Sequence, residues 1–384
     1  MSIDFSTANR IIFGAGRISS LGEIIGHYGK RVLIVKGKKF PDPKTIFAIC
    51  ENANVRWDCF NVVNEPNVET INRSVELGRE KKSDFVIGFG GGSVIDTGKA
   101  TSALLNNQGS LLDYLEVVGK GKPLKKTSKP YIAIPTTAGT GSEVTRNAVI
   151  SVPEKKVKVS MRNAYLLPEV AIIDPELTYE VPKTITAVTG MDAFTQVIEP
   201  YVSRYSNILV DMFCKDAIPK GASYLLRAWE NGNDHEAREN ISWVSLMGGL
   251  ALANAKLGAV HGFAGPIGGM FHAPHGAVCA ALLPSVMLVN AEALSNRGKD
   301  FEKIFRFENI ARWVTGVENA TIEEGVEWIA SLCKNMKIPR LSELGIKKAH
   351  FPTIIEKSKN SSSMKGNPIQ LTEQEMVKIL ELAY

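Results

Sequence analysis

Up to Asp174, short β-branched runs alternate with segments of helical length, and this alternation restricts the fold more than any other feature of the chain. RVLIV (31–35), NVETINRSVELGREKK (67–82), DFVIGF ahead of Gly90 and YIAIP (131–135) follow one another in that rhythm. Strands joined by helices need right-handed crossovers, which give a parallel sheet covered by helices on both faces. AVISVPEKKVKVSM, between Gly141 and Arg162, changes to short extended runs with polar turns and predicts a β-hairpin appended to that sheet. After Asp174-Pro175 the strand pattern stops. From Thr184 to Tyr384 amphipathic segments such as EEGVEWIASLCKNM and TEQEMVKILELAY dominate. The expected architecture is therefore an α/β domain over residues 1–181 followed by an all-α domain over residues 182–384, with ligands favouring the cleft between them. A chain of 384 residues also exceeds what one hydrophobic core usually supports. SKNSSSMKGN (358–367) predicts a flexible surface loop.

The net charge of +5 is dispersed, which argues against nucleic acid and leaves room for a small anionic cofactor. Lys120, Lys122, Lys125, Lys126, Lys155 and Lys156 sit among turn residues and are expected to be solvated. Five widely spaced cysteines (Cys50, Cys59, Cys214, Cys279 and Cys333) fit buried reduced thiols in a cytoplasmic protein. Residues 1–10 lack a cationic start and an apolar core, so a signal peptide is not expected. The apolar stretch from Trp243 to Val289 is interrupted by Lys256, histidines and prolines, which argues against a membrane span.

DFVIGFGGGSVIDTGKA places a buried strand before Gly90, Gly91, Gly92 and Ser93, with a helix carrying Asp96 and Lys99 starting there. Glycines let backbone amides approach a pyrophosphate, and the helix N-terminus adds partial positive charge. PTTAGTGSE follows the next strand and offers Thr136, Thr137, Thr140 and Ser142; loops after successive parallel strands converge at one sheet edge. Together they predict a Rossmann-like dinucleotide site, although tight turns and helix caps use the same residues. An acidic residue that would bind the ribose hydroxyls of NAD is replaced by Gly37, flanked by Lys36, Lys38 and Lys39. NADP is therefore expected to be tolerated as well as NAD.

Three of the six histidines, His261, His272 and His275, fall within one glycine-rich apolar stretch. Neutral imidazole is the commonest ligand for a borderline divalent cation. In TGMDAFTQVIEP, Asp192 and Gln196 lie four residues apart and share a helix face. Asp192, His261 and His275, from a helix, a later helix and a proline-containing loop, form a plausible oxygen and nitrogen donor set. His27, His235 and His350 lie outside the motifs.

GGGSVIDTGKA, PTTAGTGSE, TGMDA and LGAVHGF…GGMFHAPHGA…LLP resemble, in order and spacing, the signatures of the iron-containing (group III) alcohol dehydrogenases, over essentially the whole chain. The resemblance implies a dehydroquinate-synthase-like fold and reversible hydride transfer between nicotinamide and a primary alcohol or aldehyde, assisted by iron or zinc. It assigns the cofactor to Gly91, Gly92, Ser93, Asp96, Thr136, Thr137, Ser142 and Lys158, with Gly37 and Asn67 as further candidates. It assigns the metal to Asp192, Gln196, His261 and His275, and gives His272 a proton-relay or nicotinamide-contact role. Two positions depart from the family pattern: a histidine ligand falls on Gln196, and a second histidine of the later motif falls on Gly265. Relatives are commonly dimers or larger, so a homo-oligomer is expected. The alternatives are a metal-independent reductase of the maleylacetate type, a dehydroquinate-synthase-like lyase or sugar-phosphate dehydrogenase, and a non-catalytic cofactor-binding protein. A phosphorylated substrate would need basic residues near the metal motifs, where Lys256 is the one candidate.

Overall fold

A computed structural model describes residues 3–38, 42–155, 157–271, 273–298 and 300–384. The strands are β1 (Arg10–Phe13), β2 (Arg31–Gly37), β3 (Arg56–Val62), β4 (Phe85–Gly90), β5 (Tyr131–Pro135), β6 (Asn147–Val152), β7 (Val157–Arg162) and β8 (Val170–Ile173). The first helices are α1 (Leu21–Ile25), α2 (Lys44–Asn52), α3 (Val68–Glu80) and α4 (Gly92–Asn106). Then come α5 (Lys183–Val202), α6 (Ile208–Glu230), α7 (His235–Ala255), α8 (Ala259–Phe271) and α9 (His275–Ala293). The last are α10 (Phe301–Thr315), α11 (Ile322–Asn335), α12 (Phe351–Lys359) and α13 (Glu373–Leu382).

Two compact units result. One comprises Ser6–Thr137 and Gly141–Glu180; the other comprises Val181–Tyr384, Ala138–Thr140 and a short N-terminal piece ending at Phe5. The first holds a six-stranded sheet in the order β1-β8-β5-β4-β2-β3 with every pairing parallel. Central strands of such a sheet are covered on both faces, which is why they read as continuous apolar runs. Val32, Leu33, Ile34 and Val35 of β2 are all buried, as is every residue of β4; each large apolar side chain so buried contributes roughly 1.5–3 kcal/mol. β1 and β3 are only partly buried, whereas all four residues of β8 are buried. β1 and β8 are four residues long, and β1 and β3 form the edges, each with one neighbour.

The expected hairpin forms from β6 and β7, but it stands as a separate two-stranded sheet and does not join the parallel one. Its anchor is α4. Asp96 accepts a hydrogen bond from the backbone of Val149 in β6 (2.9 Å), and Lys99 donates to the carbonyl of Asn147 (2.9 Å).

In the second unit α5 packs against α6, α7 and α9. From Gly190 to Val202 every residue of α5 is buried, so this stretch has no solvent face. A helix enclosed on all sides is normally apolar throughout, yet α5 carries Asp192, Thr195, Gln196 and Glu199 in that stretch. α7 and α8 meet at a bend of 98°, where Lys256 adopts a left-handed φ of 59°. The helix from His275 to Arg297 is long and apolar enough to cross a bilayer, but 78% of its apolar window is buried inside the protein, the environment of a core helix.

The 358–367 segment departs from the expected flexible surface loop. It ends in Asn367, which is 1% exposed and donates to Asn290 Oδ1 (2.7 Å) and the Ile369 carbonyl (2.8 Å). Asn367 Oδ1 also accepts from the backbone of Ala259 (3.1 Å) and so fixes the start of α8.

Candidate functional site

Asp192 and Glu199 of α5 find their partners on α8 and α9. His261 lies one turn into α8, and its Nε2 is 3.3 Å from Asp192 Oδ1. His275, expected in a loop, is instead the first residue of α9, with Nε2 3.8 Å from the same oxygen. The approach of α9 to α5 is close enough that a Cβ on Gly276 would stand 2.0 Å from the Val188 carbonyl oxygen. The three residues singled out as metal ligands are thus brought together. Asp192 and His261 are buried, while the His275 side chain is 36% exposed and forms the wet side of the cluster.

Two further members were missed in the sequence. Glu199, seven residues after Asp192 and three after Gln196 on α5, accepts from His261 Nδ1 (2.7 Å) and from the backbone of Val260 (2.7 Å). A carboxylate on one ring nitrogen fixes the tautomer and turns the lone pair of the other toward a bound ion. The helical spacing of Asp192, Gln196 and Glu199 was the available signal. Cys279 lies one turn after His275 on α9, with Sγ 3.7 Å from His275 Nε2. Donor atoms of Asp192, His261, His275 and Cys279 all lie within 4.8 Å of one another.

Electrostatics in the cluster follow from this crowding. Burial works against charging His261, but Cys279, Asp192 and Glu199 outweigh it and raise its pKa well above the usual imidazole range. Burial likewise opposes ionisation of Asp192 and Cys279, yet the imidazoles lower both. Bonds of about 2.0 Å to nitrogen and 2.3 Å to sulfur at tetrahedral angles separate neighbouring donors by roughly 3.3–3.7 Å. The observed 3.3, 3.7 and 3.8 Å lie at or slightly beyond this range, close to what a single divalent ion requires.

Gln196 is buried beside this group. Its Nε2 donates to the Gly139 carbonyl (3.3 Å), and its Oε1 is buried without a hydrogen-bond partner. An unsatisfied buried acceptor costs about 1–3 kcal/mol, so a ligand that supplied a donor or a positive charge there would relieve it. Lys256, by contrast, holds its ammonium over the Tyr205 ring at 4.1 Å.

In the α/β unit, Gly91 is the extended N-cap of α4, and no side chain caps this helix. Its first amides are therefore available to an anion. A Cβ on Gly91 would sit 3.2 Å from Thr137 Oγ1, so a bare backbone faces that hydroxyl. Thr136, buried, donates its backbone N–H to the Gly90 carbonyl (3.1 Å), holding the loop after β5 to the loop after β4. Gly92 and Ser93 form the first turn of α4. The residues present fit a phosphate cradle.

Asp96 and Ser142 also meet: Ser142 Oγ donates to Asp96 Oδ1 (2.5 Å) and accepts from Lys99 Nζ (2.8 Å). Lys99 is fully buried and donates as well to Thr145 Oγ1 (2.8 Å). Burial lowers the Lys99 pKa to about 8 despite Asp96 and Glu143, and it raises that of Glu143 to about 7. Asn67 caps α3, with Oδ1 accepting from the Thr70 backbone (2.8 Å) and hydroxyl (2.9 Å). Lys158 pairs with Glu65 (2.6 Å). Gly37 ends β2, and its carbonyl accepts from Lys36 Nζ (3.1 Å). His272, Lys39 and Lys156 lie outside the described residues.

Known proteins resemble this chain over both of its halves. Residues 8–175 match the model of the iron-containing alcohol dehydrogenases, and residues 186–384 match that of the C-terminal part of the same family. The 1,3-propanediol dehydrogenase of Klebsiella pneumoniae is 35% identical over 397 residues, covering 99% of this chain and 98% of that protein. The crystal structure of a 1,3-propanediol oxidoreductase superposes with a TM-score of 0.91 at 31% identity, each chain covered in full. A sulfoacetaldehyde reductase from Bifidobacterium kashiwanohense, solved in complex with NAD+, gives 0.87 at 27% identity, covering 100% of this chain and 99% of that one. With both halves matched and a relative aligned end to end, the chain belongs to the iron-containing alcohol dehydrogenase family, a family of oxidoreductases.

Proposed function

We propose that this protein is a metal-dependent, NAD(P)-linked dehydrogenase that interconverts a short primary alcohol and its aldehyde. The observation that carries the proposal is the convergence of Asp192, His261 and His275 at donor separations suited to one ion, with His261 oriented by Glu199. Asp192, His261 and His275 would hold a divalent iron or zinc ion, with Gln196 as a neutral oxygen donor beside them. When bound, that ion supplies Lewis acidity toward the alcohol oxygen. With Nδ1–H engaged by Glu199, His261 would offer its Nε2 lone pair to the ion. His275, on the wet side, marks where substrate enters. His272 is the candidate acceptor for the hydroxyl proton.

In the α/β unit, the open amides of Gly92 and Ser93 with Thr136 and Thr137 bind the pyrophosphate. Ser142, held against Asp96, borders the same loop, and Asn67 and Lys158 are outer contacts. Gly37 offers no carboxylate to repel a 2′-phosphate, so either nicotinamide cofactor serves. The NAD+ complex of the related reductase supports a nicotinamide, and the propanediol relatives support a small alcohol. Five free thiols are in keeping with a cytoplasmic setting. Exposed Ile208, Met212, Phe301 and Phe305, on helices joined by the Arg306–Asp211 ion pair, provide apolar surface for a homo-oligomer. A lyase or a phosphorylated substrate finds no support in Lys256, whose charge is engaged by Tyr205.

The test is elemental analysis of the purified protein, followed by an aldehyde and alcohol screen with both cofactors before and after chelation. Activity should vanish with the ion and return when it is restored. Full turnover after complete chelation would overturn the metal role.

A further inference from the structure

We infer that the thiolate of Cys279 is a fourth protein ligand of this ion, which makes the centre an Asp–His–His–Cys site selective for zinc over ferrous iron. The inference rests on the metal reading above. Cys279 follows His275 by one helical turn, so both side chains leave the same face of α9. Its Sγ lies 3.7 Å from His275 Nε2, and every donor atom of the four-residue group is within 4.8 Å of the others. The remaining buried cysteines have different surroundings. Cys50 packs in the apolar core under the sheet, and Cys333 donates to the Ala280 carbonyl at 3.5 Å.

Charge and softness both favour sulfur here. A divalent ion on one carboxylate and two neutral imidazoles leaves one positive charge on the directly bound set, offset only at longer range by Glu199 behind His261, and a thiolate neutralises that set at the ion itself. Gln196, the competing donor, is neutral and already holds the Gly139 carbonyl through its amide nitrogen. Thiolate ligands select zinc among the common divalent ions, whereas an oxygen and nitrogen set discriminates less. Neutralisation has a cost to the chemistry, because an ion with less net charge is a weaker Lewis acid toward an alcohol oxygen. The thiolate thus exchanges Lewis acidity for tighter retention of the ion.

X-ray absorption at the zinc edge of the wild-type protein tests the assignment without any variant. One sulfur neighbour at about 2.3 Å is expected. Cobalt substitution should add a near-ultraviolet sulfur-to-metal charge-transfer band, absent in Cys279→Ser. That variant should bind zinc more weakly by at least the roughly 10–100-fold that loss of an outer hydrogen-bond partner costs. Anaerobic loading with equal zinc and ferrous iron should leave zinc in place. Zinc bound with only nitrogen and oxygen neighbours, cobalt without the band, or preferential retention of iron would each overturn the inference while the metal reading stood. Absence of any bound ion would overturn both.

Discussion

Replacing Glu199 by glutamine isolates what one buried carboxylate does for the metal centre. Among the described residues, Glu199's hydrogen-bond partners are all donors: Val260 N–H at 2.7 Å, His261 Nδ1–H at 2.7 Å and, more distantly, His261 N–H at 3.5 Å. Glutamine keeps the volume but exchanges one oxygen for an NH2 group, which must then meet a donor. If it faces the imidazole, the ring has to accept at Nδ1 and carry its proton on Nε2, where the ion needs a lone pair. If it faces Val260, a buried backbone N–H loses its acceptor, at a cost of about 1–3 kcal/mol. Outer partners of this kind contribute about 10–100-fold to metal affinity, equivalent to about 1.4–2.7 kcal/mol. Competition against a chromogenic chelator measures the affinity, and thermal unfolding of the metal-free protein reports any separate loss of stability. Zinc affinity within about twofold of wild type in a folded Glu199→Gln protein would refute the argument that Glu199 sets the tautomer.

Gly276→Ala should destabilise the helical unit by at least about 1–3 kcal/mol and weaken metal binding, since the new Cβ would stand 2.0 Å from the Val188 carbonyl oxygen; unchanged melting temperature and metal titration would contradict the packing. Glu143 has a folded-state pKa of about 7, above its ordinary 4.5, so its protonated form stabilises the fold below about pH 4.5 and that stability is lost as pH rises through about 7. Glu143→Gln should remove this slope, leaving the variant more stable than wild type at pH 8 relative to pH 5 by on the order of 2–3 kcal/mol in denaturant titrations; parallel pH profiles would exclude it. Gly37→Asp should lower kcat/KM with NADPH far more than with NADH, and equal losses would remove Gly37 from the ribose pocket.

Sequence reasoning succeeded where one-dimensional pattern and three-dimensional environment coincide. β2, β4 and β5 were readable because central parallel strands are buried on both faces. β1, β3 and β8 were not, because β1 and β3 are partly exposed edge strands and β8, though apolar and buried throughout, is only four residues long. Asp192, His261 and His275 stood out by residue type, and they do meet. Cys279 escaped because its relation to His275 depends on α9 beginning at His275, where the Pro274 context suggested a loop. Glu199 escaped because its partner on α8 is set by Asn367, more than a hundred residues away, holding the first turn of that helix. Asp96 and Lys99 were read as parts of a phosphate loop. Their bonds to the β6–β7 hairpin were invisible without the fold.

On the metal-dependent reading proposed above, the enclosure of the Gly190–Val202 stretch of α5 would couple ion binding to folding of the helical unit. Stripped of its ion, the unit must keep two carboxylates in its interior on the strength of protons and hydrogen bonds alone, so chelation should soften the whole bundle and not merely silence one reaction. At about a hundredfold excess of free ion over the dissociation constant, the bound form gains roughly 2.7 kcal/mol. On that reading, the supply of metal would set how long this protein survives as well as how fast it works.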